Sequence, residues 1–246
     1  MGERLRQGCS LGVIASLIER TFAAMLPHET WSVRVGPGGG DILALTADER
    51  ELTAHMAPRR AAQFAAGRRE ARAVINRLGY PVAPILRNSD GSPLWPPPLK
   101  GSISHSGGLV AAVAGYDPAL LGIGIDLEAM GRLFPAGAGD LVFNQDERQP
   151  RWPCPSFPYR LFSAKEATMK AMRQATGLRL GWEEISIRAE FPGQRFVPNI
   201  LHQAYAGGHS VIGGVTTAHG FSVAVCAVFN LAQSTGKTDL GPDARV

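Results

Sequence analysis

No stretch of the 246 residues approaches a run of twenty apolar side chains, so the sequence offers nothing to span a bilayer. The first twenty residues have no clean apolar core followed by a small-residue cleavage site, and they carry Glu3 and Glu19. That argues against secretion and for a cytoplasmic chain. Cysteine is scarce: Cys9, Cys154 and Cys226 are odd in number, widely spaced and without a C-x-x-C pair. Neither a disulfide framework nor a zinc site is expected from them. Residues 36–40 are glycine-rich, but no Lys-Ser/Thr follows, which excludes a P-loop, and no dinucleotide fingerprint is present. The serines of residues 102–106 lack a G-x-S-x-G frame, against a serine nucleophile. Charge excess is slight, a formal +4, which favours a polyanionic ligand or acidic partner without requiring nucleic acid.

What is present describes an ordinary globular chain, 45% hydrophobic and 19% charged, long enough for a sizeable core. Its 29 glycines and 18 prolines follow no fixed period and imply many turns. Residues 58–78 read as a helix, because Ala61, Phe64, Ala65, Ala71, Ile75 and Leu78 recur at three- and four-residue spacing and Gly79 closes the run. Arg68 falls inside that apolar stripe with Arg60 two turns earlier. A guanidinium facing a core needs an anion, either a neighbouring carboxylate or a ligand. Residues 87–100 read as loop, with Asp90-Gly91-Ser92-Pro93 and three consecutive prolines, 96–98. Strands are expected over 101–104, 109–116, 120–127, 184–189, 210–216 and 221–229. An irregular stretch is expected over 141–158, and a second helix over 163–176 ended by Gly177. Helices interleaved with hairpin-like strand pairs favour an α+β architecture. The tail 233–246 is polar and expected to fray.

Three local patterns carry chemistry. In Gly122-Ile123-Gly124-Ile125-Asp126-Leu127-Glu128, a strand would project Asp126 and Glu128 from one face. Two close carboxylates are costly without a cation between them, and hard oxygen ligands suit magnesium. The same D-x-E also suits a strand ending at a solvated edge. In Phe162-Ser163-Ala164-Lys165-Glu166, with Lys170 following, a helix would present Glu166 and Lys170 one turn apart. Ser163-x-x-Glu166 equally has the form of a capping box, and Glu166 and Lys170 that of a stabilising surface pair. In Ser102-Ile103-Ser104-His105-Ser106-Gly107-Gly108, hydroxyls, an imidazole and backbone N–H groups could surround a phosphate, or simply make a turn.

Taken together and in their chain order, SISHS, then GIDLE, then FSAKEA with Lys170 resemble the phosphopantetheinyl transferases of the enterobactin-synthase-component type, which serve siderophore and other non-ribosomal peptide synthesis. Arg60 and Arg68 in RRAAQFAAGR stand where those enzymes carry a basic helix, and DGSP followed by Trp95-Pro96 resembles the segment before their SHS turn. The likeness covers about residues 55–185. It implies an α+β pseudo-dimer of two similar halves, 1–121 on the adenosine side and 122–232 with the metal and catalytic residues. The implied activity is magnesium-dependent transfer of the 4'-phosphopantetheine arm of coenzyme A to a serine of an apo acyl or peptidyl carrier protein. A monomer with no nucleic-acid or membrane partner is implied as well. By the same resemblance Asp126, Glu128 and Glu166 would hold magnesium. Ser104 and His105 would meet the coenzyme's phosphates, and Arg60 and Arg68 would hold its adenosine 3'-phosphate end. Asp90, Gly91, Ser92, Pro93 and Leu180 would join the coenzyme A contacts. Lys170 would neutralise charge on the pyrophosphate, while Glu166 takes the serine proton directly or through water; His105 joins these two in the catalytic set. Two features depart from the family pattern: Ser92 stands where many relatives carry Lys or Glu, and residues 131–139 are unusually rich in small residues and turns. Another magnesium-dependent enzyme acting on a pyrophosphate would share the carboxylates. A non-catalytic coenzyme A-binding module would share the arginines, but would not need both Glu166 and Lys170.

Overall fold

Strand order fixes the architecture. In the computed structural model, β1 (Trp31–Pro37), β2 (Lys100–Ser106) and β3 (Leu109–Gly115) form a three-stranded sheet in the order β1-β3-β2. The second sheet has five strands: β4 (Leu120–Ala129), β5 (Ile185–Ala189), β6 (Arg195–Ile200), β7 (His209–Ala218) and β8 (Phe221–Asn230), ordered β4-β8-β7-β6-β5. Every pairing is antiparallel. The helices are α1 (Gly2–Ala23), α2 (Ala47–Glu51), α3 (Pro58–Arg77), α4 (Ala138–Val142) and α5 (Phe157–Thr176). The structure describes residues 2–23, 25–26, 30–131, 134–135, 137–148, 153–189 and 194–232, with side chains from residue 11 onward. The tail expected to fray, 233–246, lies outside the described residues, as do 132, 133 and 136 within the turn-rich segment.

Each sheet is covered by one 20-residue helix, α3 on the first and α5 on the second. This is the expected α+β arrangement of two like halves. Helix α3 starts with Pro58 in its first turn, where a missing N–H costs nothing, and Gly79 ends it at φ +77°. Its buried Ala71, Val74 and Ile75 pack on Ala112 and Ala114 of β3.

Helix α5 begins six residues earlier than the sequence reading placed it. Pro158 sits in its first turn rather than ending a loop, and Ser163 lies fully buried in mid-helix instead of capping the N-terminus. The described residues of 141–158, which are 141–148 and 153–158, hold the end of α4, a 3-10 turn at Gln145–Glu147 and the start of α5 where an irregular stretch was expected. Helices α1 and α2 and strands β1 and β6 were not anticipated.

A third core joins the halves. Ile14, Ile18 and Phe22 of α1 pack with Ala111 and Val113 of β3, and with Ile123, Ile125, Val223 and Val225 of β4 and β8. The period-two pattern then turns Gly122, Gly124, Asp126 and Glu128 to the opposite face, under α5. Helix α5 lies so close there that a Cβ at Gly124 would stand 1.9 Å from the Ala167 carbonyl oxygen, and one at Gly122 2.1 Å from that of Ala171.

Candidate active site

The seam between the sheets is built from serine side chains on β2. The backbone N–H of Leu127 donates to Ser104 Oγ at 3.2 Å, and that of Ala129 to Ser106 Oγ at 3.0 Å. Beyond Ser106 the chain reverses through Gly107 and Gly108, both at positive φ, as a two-residue hairpin turn demands. A Cβ at Gly107 would stand 2.6 Å from that of Ala129, so the turn lies against the end of β4.

A groove opens on one side of this seam, lined by Arg60, Phe64 and Arg68 of α3, Arg87 and Gly91 of the following loop, and His105 of β2. Arg68 is only 4% exposed. Its guanidinium lies over the Phe64 ring at 4.2 Å and donates from Nη2 to the Leu86 carbonyl at 3.2 Å, while Nε is buried without a hydrogen-bond partner. Burial lowers its pKa to about 10, against the pull of Glu49. Glu49 itself is bonded to Arg72, so among the described residues Arg68 has no carboxylate within ion-pair reach. In place of the carboxylate that the sequence allowed for, Arg68 meets the Phe64 ring and a backbone carbonyl. Arg60 Nη1 lies 2.7 Å from His105 Nε2. A guanidinium can only donate, so this His105 nitrogen accepts and the ring is neutral. Burial first, then Arg60 and Lys170, hold the imidazole pKa below its ordinary value, with Asp126 opposing.

The carboxylates lie on the other side of β2. Asp126, 5% exposed, accepts at Oδ1 from Lys170 Nζ at 2.8 Å and from Ser104 Oγ at 3.0 Å. Its Oδ2 is buried with no partner. Lys170 also donates to the Ile125 carbonyl at 3.0 Å. Glu128 is pushed up by burial and by the like charges of Asp126 and Glu166, with a Ser106 hydrogen bond opposing. Glu166 accepts at Oε1 from Trp182 Nε1 at 2.9 Å. The Glu166–Lys170 pair and the Ser163 cap are therefore not how α5 uses these side chains: Lys170 reaches across to β4, and Ser163 Oγ is buried without a partner. Among the described residues, no three carboxylate, His or Cys groups stand within common ligating reach. The chemistry nonetheless suits a divalent cation: the orphaned carboxylate oxygen on Asp126 and the Glu128 carboxyl, whose pKa burial and the neighbouring carboxylates raise, each gain from a positive charge between them.

The structure thus brings Ser104, His105, Asp126 and Lys170 together, with Glu128 and Glu166 near them, and Arg60 and Arg68 on the adjoining groove. Gly91 and Pro93 line that groove too. Asp90 turns away from it to Arg173, and Ser92 is occupied within the turn, bonded to Asp90 and Asn88. Leu180 is 5% exposed within the core around α5 and does not line the groove.

Several residues at the site escaped the sequence reading. Lys165 is completely buried, its Nζ 2.6 Å from Glu147 and donating to the Val142 and Trp182 carbonyls. It falls in the buried stripe Leu161, Ala164, Thr168, Ala171, and that periodicity was its available signal. Trp182, Arg87 and Arg173 had none.

Two family models match. Residues 48–115 fit the 4'-phosphopantetheinyl transferase N-terminal domain, and residues 122–226 the 4'-phosphopantetheinyl transferase superfamily. The 4'-phosphopantetheinyl transferase Svp of Streptomyces mobaraensis is 32% identical over 190 residues, 73% of this chain and 76% of that protein. The 4'-phosphopantetheinyl transferase PptT of Mycobacterium tuberculosis is 36% identical over 162 residues, 63% of this chain and 71% of that one. A holo-(acyl-carrier-protein) synthase from Bacillus anthracis, solved in complex with CoA (3',5'-ADP), superposes with a TM-score of 0.38 at 21% identity, over 46% of this chain and 98% of its own.

Proposed function

The chain belongs to the 4'-phosphopantetheinyl transferase superfamily, and on that premise we propose that it moves the phosphopantetheine arm of coenzyme A to a serine of an apo carrier protein. The observation that carries this reading is the adjacency of two unlike sites across one strand. The basic groove of Arg60, Arg68 and His105 suits a terminal phosphate and a nucleoside, and the Asp126–Lys170 centre beside it suits a pyrophosphate. Coenzyme A carries both at its nucleotide end.

In the transfer the carrier serine Oγ attacks the phosphorus that bears the pantetheine arm. The bond from that phosphorus to the bridging oxygen breaks, and adenosine 3',5'-bisphosphate leaves with the bond's electron pair. Glu166 takes the serine proton directly or through water. Lys170, held on β4 by Asp126 and the Ile125 carbonyl, stands ready to neutralise charge on the departing bisphosphate. Arg60 and Arg68 bind and orient the adenosine end. Asp126, Glu128 and Glu166 would hold a magnesium ion, which when bound supplies further charge neutralisation at the pyrophosphate.

The reading divides the chain at residue 121/122, with the adenosine side in the first half and the reacting side in the second. It also takes the protein to be a cytoplasmic monomer serving peptidyl or acyl carriers of siderophore or other secondary-metabolite assembly. The test is to incubate the protein with coenzyme A, magnesium and a panel of apo-carriers and to weigh the products. One phosphopantetheine group gained per carrier is expected, and Lys170→Met should slow the gain about a hundredfold or more at a temperature where the variant is still folded, its melt being lowered by the loss of Asp126's partner. A panel left entirely unmodified would overturn the reading.

A further inference from the structure

Helix α5 carries more than Glu166 and Lys170 on the side it turns to the first half. Residues 166, 170, 173 and 174 lie on one helical face. From Gln174, Nε2 donates to the Ile123 carbonyl at 2.8 Å and Oε1 accepts from the Gly101 N–H at 3.2 Å. From Arg173, Nε donates to Asp90 Oδ2, and Nη2 donates to the Asp90 carbonyl at 3.2 Å. One guanidinium therefore grips both the side chain and the backbone of a single residue 83 positions away.

Asp90 in turn organises the loop it sits in. Its Oδ1 accepts from the Ser92 N–H at 2.8 Å and from Ser92 Oγ at 2.6 Å. The turn is closed by Gly91 N–H to the Asn88 carbonyl and by Asn88 N–H to the Ser92 carbonyl, both at 2.9 Å. Gly91, at φ +86°, and Pro93 then face the basic groove. A carboxylate turned into that groove would repel a phosphate. Here both Asp90 oxygens are filled by donors and directed at α5. The Ser92 donors first, and Arg173 after them, hold the Asp90 carboxyl down at about 2, so the latch stays ionised at any working pH.

We propose that Arg173 is a positioning residue for coenzyme A, fixing through Asp90 the 88–93 loop that walls the groove. The inference rests on the coenzyme A reading above. Because α5 also bears Glu166 and Lys170, the latch sets the distance between the nucleotide wall and the reacting centre from one rigid element. Asp90 is then an anchor of the site and not itself a contact to the coenzyme.

Three measurements on the full chain decide it. Amide hydrogen exchange of the free protein over residues 88–94 should quicken in Arg173→Ala and largely recover in Arg173→Lys. Calorimetric titration with coenzyme A should show Kd raised roughly three- to tenfold in Arg173→Ala and in Asp90→Asn, with KM for the carrier unmoved. The double variant should lose no more than the worse single. Unchanged exchange, unchanged coenzyme A affinity in Arg173→Ala, or fully additive losses would each overturn the latch. Should the wild-type protein fail to bind coenzyme A, the functional reading falls instead, and the exchange experiment still decides the latch.

Discussion

Replacing Gly124 by Ala adds one methyl group at the point where α5 crosses β4. Two effects compete. Removing a strand glycine reduces the freedom of the unfolded chain and would by itself stabilise by about 0.5–1 kcal/mol. Against that, the new Cβ would lie 1.9 Å from the Ala167 carbonyl oxygen and 2.9 Å from the Ala171 nitrogen, all backbone of a 20-residue helix. Backbone cannot rotate away as a flexible side chain does, so α5 must retreat by on the order of 1 Å to restore ordinary contact. Overpacking of this kind costs about 1–3 kcal/mol, and the clash wins. The same retreat carries Lys170 and Glu166 away from β4, and a misplacement of about 1 Å is worth roughly a hundredfold in rate. Urea melts paired with carrier-loading rates read both effects. The control is Gly139→Ala within α4, whose Cβ would meet only the Phe143 ring at 3.4 Å and should leave stability unchanged or raise it by up to about 1 kcal/mol. Wild-type stability and turnover in Gly124→Ala would refute the close-packing argument.

Lys165→Met should destabilise by about 3–5 kcal/mol, because it strands the buried Glu147 carboxylate. Adding Glu147→Gln should restore most of that in a chemical melt, and a silent single variant would show the pair to be dispensable. Arg68→Ala should weaken coenzyme A more than dephospho-coenzyme A by calorimetry; equal losses would point to a packing role for Arg68. His105 is held neutral in the free protein, and an anion arriving between it and Arg60 raises its pKa. Coenzyme A binding should therefore take up a proton and tighten as pH falls from 7.5 toward 6, which titrations in buffers of different ionisation enthalpy detect. By the same sign, stability of the free protein should rise with pH up to about 6.5, where the unfolded chain holds the imidazole proton more readily. A binding constant flat over that range would remove His105 from the anion site.

Elements whose local pattern agrees with their burial were legible in the sequence. The α3 stripe with Gly79, the β2–β3 hairpin around Gly107-Gly108, and β4 through β8 apart from β6 were read within a few residues. The start of α5 was misplaced because Ser163-x-x-Glu166 imitates a capping box, whereas Pro158 in the first turn marks the true beginning. Strand β6 was hidden by Pro198. Pro198 lies beyond the short ladder to β7, which runs through Arg195 and Phe196, and stands opposite Ile187 of β5. At the site, the residue types were evident but their partners were not. Sequence spacing offered Glu166 to Lys170, four residues away, while the fold supplies Asp126, 44 away. No local rule reaches that far, and the Arg173–Asp90 contact is invisible for the same reason.

The core that α1 shares with both sheets bears on how the protein moves. Ala111 and Val113 from one sheet and Ile123, Ile125, Val223 and Val225 from the other are buried in a single cluster with Ile18 and Phe22. Opening the halves like jaws would wet that cluster, at about 25 cal/mol for each Å² of apolar surface exposed. A hinge in that position is therefore ruled out as a low-energy motion, unlike the closures of enzymes whose lobes meet across water. Relaxation on the microsecond-to-millisecond scale should be confined to surface loops, and the two halves should melt in one cooperative transition. The cleft is in this sense rigid before any substrate arrives. Its selectivity must then come from fit to a standing shape, and little of the binding energy is diverted to assembling it.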